Sequence, residues 1–176
     1  MKRIMPAAAA GKALALVALF GSLTFASYCG HAQTPSAPAS KQTPKEPVAT
    51  PEEFKDHVIH QTDLPEVELV KGSNSRLVVG EQSMISFLTM DAHSYFAPHH
   101  HTQEQIMIVL DGSCDEIIEG KLYHVSKGDV IVLPPNIVHG AYIGDQDVHV
   151  IDVFGDPRGD YMMKMMQKMA TLNTKK

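Results

Sequence analysis

Tryptophan is absent and aromatic residues are only 6% of the 176 residues, which excludes a broad aromatic platform for stacking long carbohydrate chains. Basic residues form no run outside the N-terminus, and 20 acidic residues outnumber 15 basic ones for a net charge of −5. That balance disfavours a nucleic-acid partner. No apolar run reaches the roughly 18 residues of a membrane-spanning helix. No repeat of about 20–50 residues is visible, so a solenoid is excluded. Cysteine is scarce too, with only Cys29 and Cys114. What is there is an ordinary globular composition, 44% hydrophobic and 20% charged, with ten histidines.

Residues 1–32 have the pattern of a secretory signal. Lys2, Arg3 and Lys12 precede an apolar core from Ala13 to Phe25, and Gly30-His31-Ala32 supplies small residues for cleavage after Ala32. The expectation is a periplasmic or secreted protein with no stable membrane insertion after cleavage. Lipid attachment at Cys29 is disfavoured because Tyr28 stands where such sites carry a small residue. Removing this segment leaves 12 basic against 20 acidic residues, a net charge of −8. It also leaves Cys114 alone, so no disulfide forms within one chain despite an oxidising compartment. No basic residue lies between Val109 and Glu119, so Cys114 reads as a buried thiol and not as a nucleophile. Residues 33–51 hold Pro35, Pro38, Pro44, Pro47 and Pro51 among Ser, Thr, Ala and Lys, the composition of a linker.

Beyond the linker, short β-rich runs dominate: Leu77–Val79, Met84–Met90, Gln105–Leu110, Cys114–Ile118, Leu122–Val125, Val130–Leu133 and Val148–Phe154. Asp111-Gly112, Glu119-Gly120 and Lys127-Gly128-Asp129 separate them as turns. Regular short strands predict an all-β sandwich or barrel. Residues 52–75 then form an N-terminal extension, with a short helical turn at Pro51-Glu52-Glu53-Phe54, and 76–160 the barrel. Helical period comes only at the end, over 161–172, where Tyr161, Met162, Met165, Met166, Met169 and Leu172 recur and Lys164, Gln167 and Lys168 lie outside the stripe. Thioethers suit Cu(I), but a methionine stripe at this spacing is read as core or dimer packing.

The strongest chemical signal is Pro98-His99-His100-His101-Thr102-Gln103-Glu104-Gln105. In an extended chain His99, His101 and Gln105 share one face, whereas His100 and Glu104 take the other. Two imidazoles and an amide oxygen therefore converge if the odd face points inward. The following Ile106-Met107-Ile108-Val109-Leu110 has no polar face, as expected of a strand buried on both sides. A second stretch, Gly128 to His139, reads as turn, strand, proline-stiffened loop and then histidine. His93, His100, His124, His149, His57, His60 and His31 have no such pattern and read as surface or hydrogen-bonded histidines.

These two stretches resemble the two motifs of the cupin superfamily. His99 and His101 stand as the first motif's histidine pair and Gly112 as its closing glycine. Gly128, Pro134 and His139 are in register with the second, 23 residues beyond Gln105. The usual first-motif acid is Gln105 here, and Asn136 replaces a usual glycine. The resemblance covers about 76–160 and implies a single-domain double-stranded β-helix, or jelly-roll barrel, with a divalent metal at His99, His101, Gln105 and His139. Zn, Ni, Fe, Mn and Cu all suit these ligand types. With four neutral ligands the cation keeps its full charge and polarises a bound oxygen more strongly than it would beside a carboxylate.

In the last strand, Val148, Val150, Asp152 and Phe154 share a face. If that face looks inward, Asp152 is a carboxyl in apolar surroundings with a perturbed pKa, a candidate proton carrier. Arg158 has the fork to hold a ligand carboxylate, or pairs with Asp156 or Asp160. The stretch Asp152-Val153-Phe154-Gly155-Asp156-Pro157-Arg158 resembles the C-terminal signature of pectin-degradation cupins, which convert 4,5-unsaturated monouronates to linear keto-uronates. That resemblance implies catalytic roles for Asp152, Phe154 and Arg158 and a sugar-acid substrate. The signal segment departs from those mostly cytoplasmic enzymes. A non-catalytic ligand-binding cupin and a cupin dioxygenase are the competing readings. Cupins commonly pair through sheet edges, so a homodimer is expected, with the methionine-rich helix covering such an edge.

Overall fold

The computed structural model describes residues 44–174; the expected signal segment, its cleavage site and the linker as far as residue 43 lie outside the described residues. Pro51 opens a helix, α1 (Pro51–His57), where a short helical turn was expected. Thr50 accepts from Glu53 N at 3.3 Å, and Glu53 returns a carboxylate to Thr50 N at 2.8 Å. This reciprocal cap and a proline at the first helical position start the helix without any buried face. A 3-10 turn follows at Gln61–Asp63.

Ten strands come next: β1 (Val67–Val70), β2 (Ser73–Val79), β3 (Met84–Met90), β4 (Tyr95–His99), β5 (Gln105–Asp111), β6 (Ser113–Ile118), β7 (Lys121–Ser126), β8 (Val130–Leu133), β9 (His139–Ile143) and β10 (Val148–Phe154). They form two antiparallel sheets. One has the order β1-β2-β3-β10-β5-β8, the other β4-β9-β6-β7. Strand pairing stays within each sheet, so the expected barrel is a pair of facing sheets and not a closed cylinder of hydrogen bonds. Met107, Val109, Leu133, Val148 and Val150 of the larger sheet pack against Cys114, Val125, Ala141 and Ile143 of the smaller. A second cluster joins Val67, Leu69, Leu77, Met84 and Phe154. Glu119 and Gly120 both take left-handed backbone, φ 50 and 73, which makes the tight hairpin between β6 and β7.

Every expected strand is present. Three others, β1, β4 and β9, were not expected. β4 contains Pro98, which sits where the β4–β9 register slips between Phe96 and His99, and a bulge of that kind tolerates proline. β9 opens with His139-Gly140-Ala141, residues with little β-propensity. β5 is not buried on both sides: Gln105, Met107 and Val109 are buried, Ile106 and Ile108 half-buried, and Leu110 is 45% exposed. A second helix, α2 (Gly159–Asn173), brackets the expected 161–172. Its stripe divides. Tyr161, Met162 and Met165 pack on the second cluster, while Met166, Met169 and Leu172 are exposed, as is Met163 outside the expected stripe. No helix among the described residues is long and apolar enough to cross a membrane.

Candidate metal centre

Three of the four expected ligands come from the crossing between sheets. His99 ends β4 in the smaller sheet, His101 sits in the connection, and Gln105 opens β5 in the larger sheet. The extended-strand argument grouped these three residues, although the strand is broken between them. The fourth, His139, opens β9 and pairs directly with His99. The ligating nitrogens of His99, His101 and His139 all lie within 4.8 Å of one another. His139 is buried, His101 half-buried and His99 exposed, so the cluster has depth on one side and an opening on the other.

The donor chemistry fits a metal. His99 donates Nδ1–H to Ala97 O at 3.1 Å, and His139 donates Nδ1–H to Ile137 O at 3.0 Å. Each bond fixes the tautomer that leaves Nε2 as a free lone pair. Burial, against a bond to the Ile137 backbone, brings the His139 pKa down to about 4. Burial, with Arg158 adding to it, lowers His101 as well. Both rings are therefore neutral donors at pH 7. The Gln103 backbone works the other way on His101 without meeting hydrogen-bond geometry, so His101 Nδ1 stays buried and unpartnered. His101 Nε2 lies 3.1 Å from Gln105 Oε1.

Asp152 explains why that amide oxygen faces the histidines. Gln105 Nε2 donates to Asp152 Oδ1 at 2.8 Å, so while Asp152 is ionised the amide cannot flip without opposing oxygen to oxygen. β10 aims Val148, Val150, Asp152 and Phe154 inward, as the alternation predicted. Asp152 is 3% exposed and bonds a side chain instead of loop backbone. Burial raises its pKa to about 7, although the Gln105 bond and Arg158 oppose that rise. Phe154 is fully buried, its ring 5.7 Å from those of His101 and Tyr161.

Arg158 is not an ordinary surface arginine, being 7% exposed. Its Nε and Nη2 donate to Asp160 at 3.1 and 2.6 Å, and its guanidinium stands 4.0 Å over the Tyr161 ring. That edge of the fork is engaged, which leaves Nη1 for a ligand. Lys164 donates to Leu69 O and ties α2 to β1 at the same side of the cavity. The cavity itself is about 540 Å³ and is lined by His99, His139, Gln105, Asp152 and Arg158 among others, within the usual span of small-ligand sites.

Glu116 was not anticipated. It lines the cavity from β6 and is 3% exposed. Its parity with Cys114, already read as buried, was the available signal. Burial first, and Asp152 second, raise its pKa to about 8. Cys114 is buried as expected, and burial pushes its thiol up to about 12. Glu104 is exposed, outside the cluster as its parity required. Among the remaining histidines, His124 bonds Asp115 at 2.9 Å and His149 bonds Thr89 at 3.0 Å, both at the surface. His57, His60, His93 and His100 are exposed, and His31 lies outside the described residues.

Residues 86–154 match the Cupin domain family, and the two-sheet architecture is the cupin fold. The matched stretch runs from within β3 to the end of β10 and contains His99, His101 and His139. Among solved structures it is similar to KdgF from Halomonas sp., with 26% identity, a TM-score of 0.54, and coverage of 58% of this chain and 94% of that one. An RmlC-like cupin from Shewanella frigidimarina has 21% identity and a TM-score of 0.56, covering 60% and 95%. The polyketide cyclase RemF from Streptomyces resistomycificus has 23% identity and a TM-score of 0.52, covering 58% and 80%. The curated proteins include no match.

Proposed function

We propose that this protein is an exported, metal-dependent cupin isomerase that opens the ring of a 4,5-unsaturated uronate. The observation that carries the reading is the bond between Gln105 and the buried Asp152, which sets a proton carrier beside the histidine cluster. The likeness to KdgF and the Asp152-to-Arg158 signature support the same substrate class. Bound at His99, His101, Gln105 and His139, a divalent cation supplies Lewis-acid polarisation of substrate oxygens.

This chain's own groups do the rest. Arg158 Nη1 takes the uronate carboxylate at one end of the cavity, held in place by Asp160 and the Tyr161 ring. Phe154, fully buried behind the cavity lining, packs its ring against His101 and holds that imidazole in place. Asp152 takes the proton of the anomeric hydroxyl. The C1–O5 bond then breaks as the C1 carbonyl forms, and the electron pair stays on the C5 enolate. No atom is gained or lost, so no co-substrate is needed. Export places the reaction where unsaturated uronates reach the periplasm.

The test is absorbance decay of unsaturated galacturonate with metal-loaded mature protein. Decay faster than buffer and than chelated protein is expected. Asp152→Asn keeps its metal and loses about 10²–10⁴-fold in rate. Decay no faster than buffer rejects the substrate. Recovery of intact ligand with Asp152 dispensable identifies a binding protein, and iron-dependent oxygen uptake identifies a dioxygenase. Periplasmic protein beginning at Gln33 is expected if the signal is cleaved as read.

A further inference from the structure

Glu116 has no part in that scheme, yet it lines the cavity together with Asp152 and Asp160. β6 pairs Glu116 with Ala141 of β9, and Ala141 pairs with Phe96 of β4. This row lies next to the His139–His99 row, on the same inward face of the smaller sheet. Asp152 enters from β10 of the larger sheet. Two carboxyls thus reach one cavity from opposite sheets.

Their surroundings differ. Asp152 is bonded to Gln105 and feels the charge of Arg158. Glu116 feels only burial and Asp152, and no donor among the described residues bonds its carboxyl. The cavity therefore holds one carboxyl under the influence of Arg158 and another that is not. A buried acid without a partner does not hold a fold together; an apolar side chain in its place costs less. Its position facing the ligand space is what calls for a chemical role.

We propose that Glu116 is the acid of this site, delivering to C4 of the ring-opened uronate the proton that completes its conversion to the keto form. The assignment rests on the uronate reading above. Ring opening leaves an enolate across C4 and C5. C4 takes a proton from the Glu116 carboxyl, the C4=C5 pair forms the new C–H bond, and the oxygen lone pair on C5 closes to the ketone. Glu116 ends ionised and Asp152 ends protonated. One proton passing between them through solvent restores both groups, so the cycle consumes nothing but substrate. Delivery from β6 and removal at β10 place the two transfers on opposite sides of the ligand, and C4 is then protonated from one face only.

The experiment uses metal-loaded Glu116→Gln, which keeps the side-chain volume, with unsaturated galacturonate in deuterium oxide. The product is read by NMR before solvent exchange. Wild type is expected to place a single deuterium at C4 in one configuration. Glu116→Gln is expected to keep its metal and a KM within about threefold, to lose on the order of 10²-fold in kcat, and to give both configurations in its residual product. Glu116→Asp, which keeps an acid at the position, is expected to recover one-sided labelling. Wild-type kcat and one-sided labelling in Glu116→Gln overturn the assignment, and so does loss of metal from that variant. An inactive wild type is a different outcome: it defeats the substrate reading itself, and Glu116 falls with it.

Discussion

Replacing Gly140 by alanine tests whether the backbone contact between β4 and β9 holds the histidines in place. A methyl group on Gly140 would stand 2.4 Å from Phe96 O, 3.0 Å from Pro98 N and 3.1 Å from the Ala97 carbonyl carbon. The nearest of these is roughly 1 Å inside ordinary contact distance. All three atoms are main chain of β4, so no side chain can swing aside. The strand must retreat from β9 and carry His99 away from His139, with which it pairs. Overpacking of this size costs about 1–3 kcal/mol. Disturbed ligand orientation weakens metal affinity about 10–100-fold. Thermal unfolding of chelated protein reads the first effect, and zinc titration the second. Gly144→Ala is the control, because nothing lies within 4 Å of its added methyl. Unchanged melting temperature and zinc affinity in Gly140→Ala would refute the argument.

Phe154→Ala empties a fully buried site between His101, Arg158 and Tyr161 and is expected to cost about 3–5 kcal/mol in urea unfolding; a loss below 1 kcal/mol contradicts its place in the core. In chelated protein, burial lowers His139 to about 4 and lowers His101, so stability is lost as pH falls below the usual histidine range. Burial raises Asp152 to about 7 and Glu116 to about 8, so stability present below the usual carboxyl range is lost as pH rises through those values. The two windows oppose each other between about pH 4 and 6.5, so melting is expected to stay nearly level there and to fall from about pH 6.5 to 8, with that fall shallower in Asp152→Asn; no fall over the alkaline window contradicts the burial of the two carboxyls. The exposed row of Met163, Met166, Met169 and Leu172 fits the homodimer proposed from the sequence. Met166→Glu is expected to shift light-scattering mass from dimer to monomer, and wild-type protein that is already monomeric rejects the dimer.

How far the sequence could be read depended on whether neighbours along the chain were also neighbours in space. Alternation in Val148 to Phe154 and the Glu119-Gly120 turn are local, and both were legible. His99, His101 and Gln105 were legible because a short stretch supplies all three, even though β4 ends at His99 and β5 begins only at Gln105. β9 was not, since its small residues form a strand only between partners contributed by β4 and β6. Glu116 escaped notice because its importance depends on a carboxyl thirty-six positions away on the opposite sheet. The state of Arg158 needed Asp160 and Tyr161 folded around it. The Gln105–Asp152 bond, likewise, joins two residues that had separate roles when read in line.

The crossing that carries His99, His101 and Gln105 spans both layers of the molecule. A cation held there rivets the layers together at one end. At a free metal level a hundredfold above its dissociation constant, such a rivet adds about 2.7 kcal/mol to the folded state. Scarcity of the ion would then thin the population of intact molecules as well as silence them, and trace-metal supply would set how long each copy survives its surroundings.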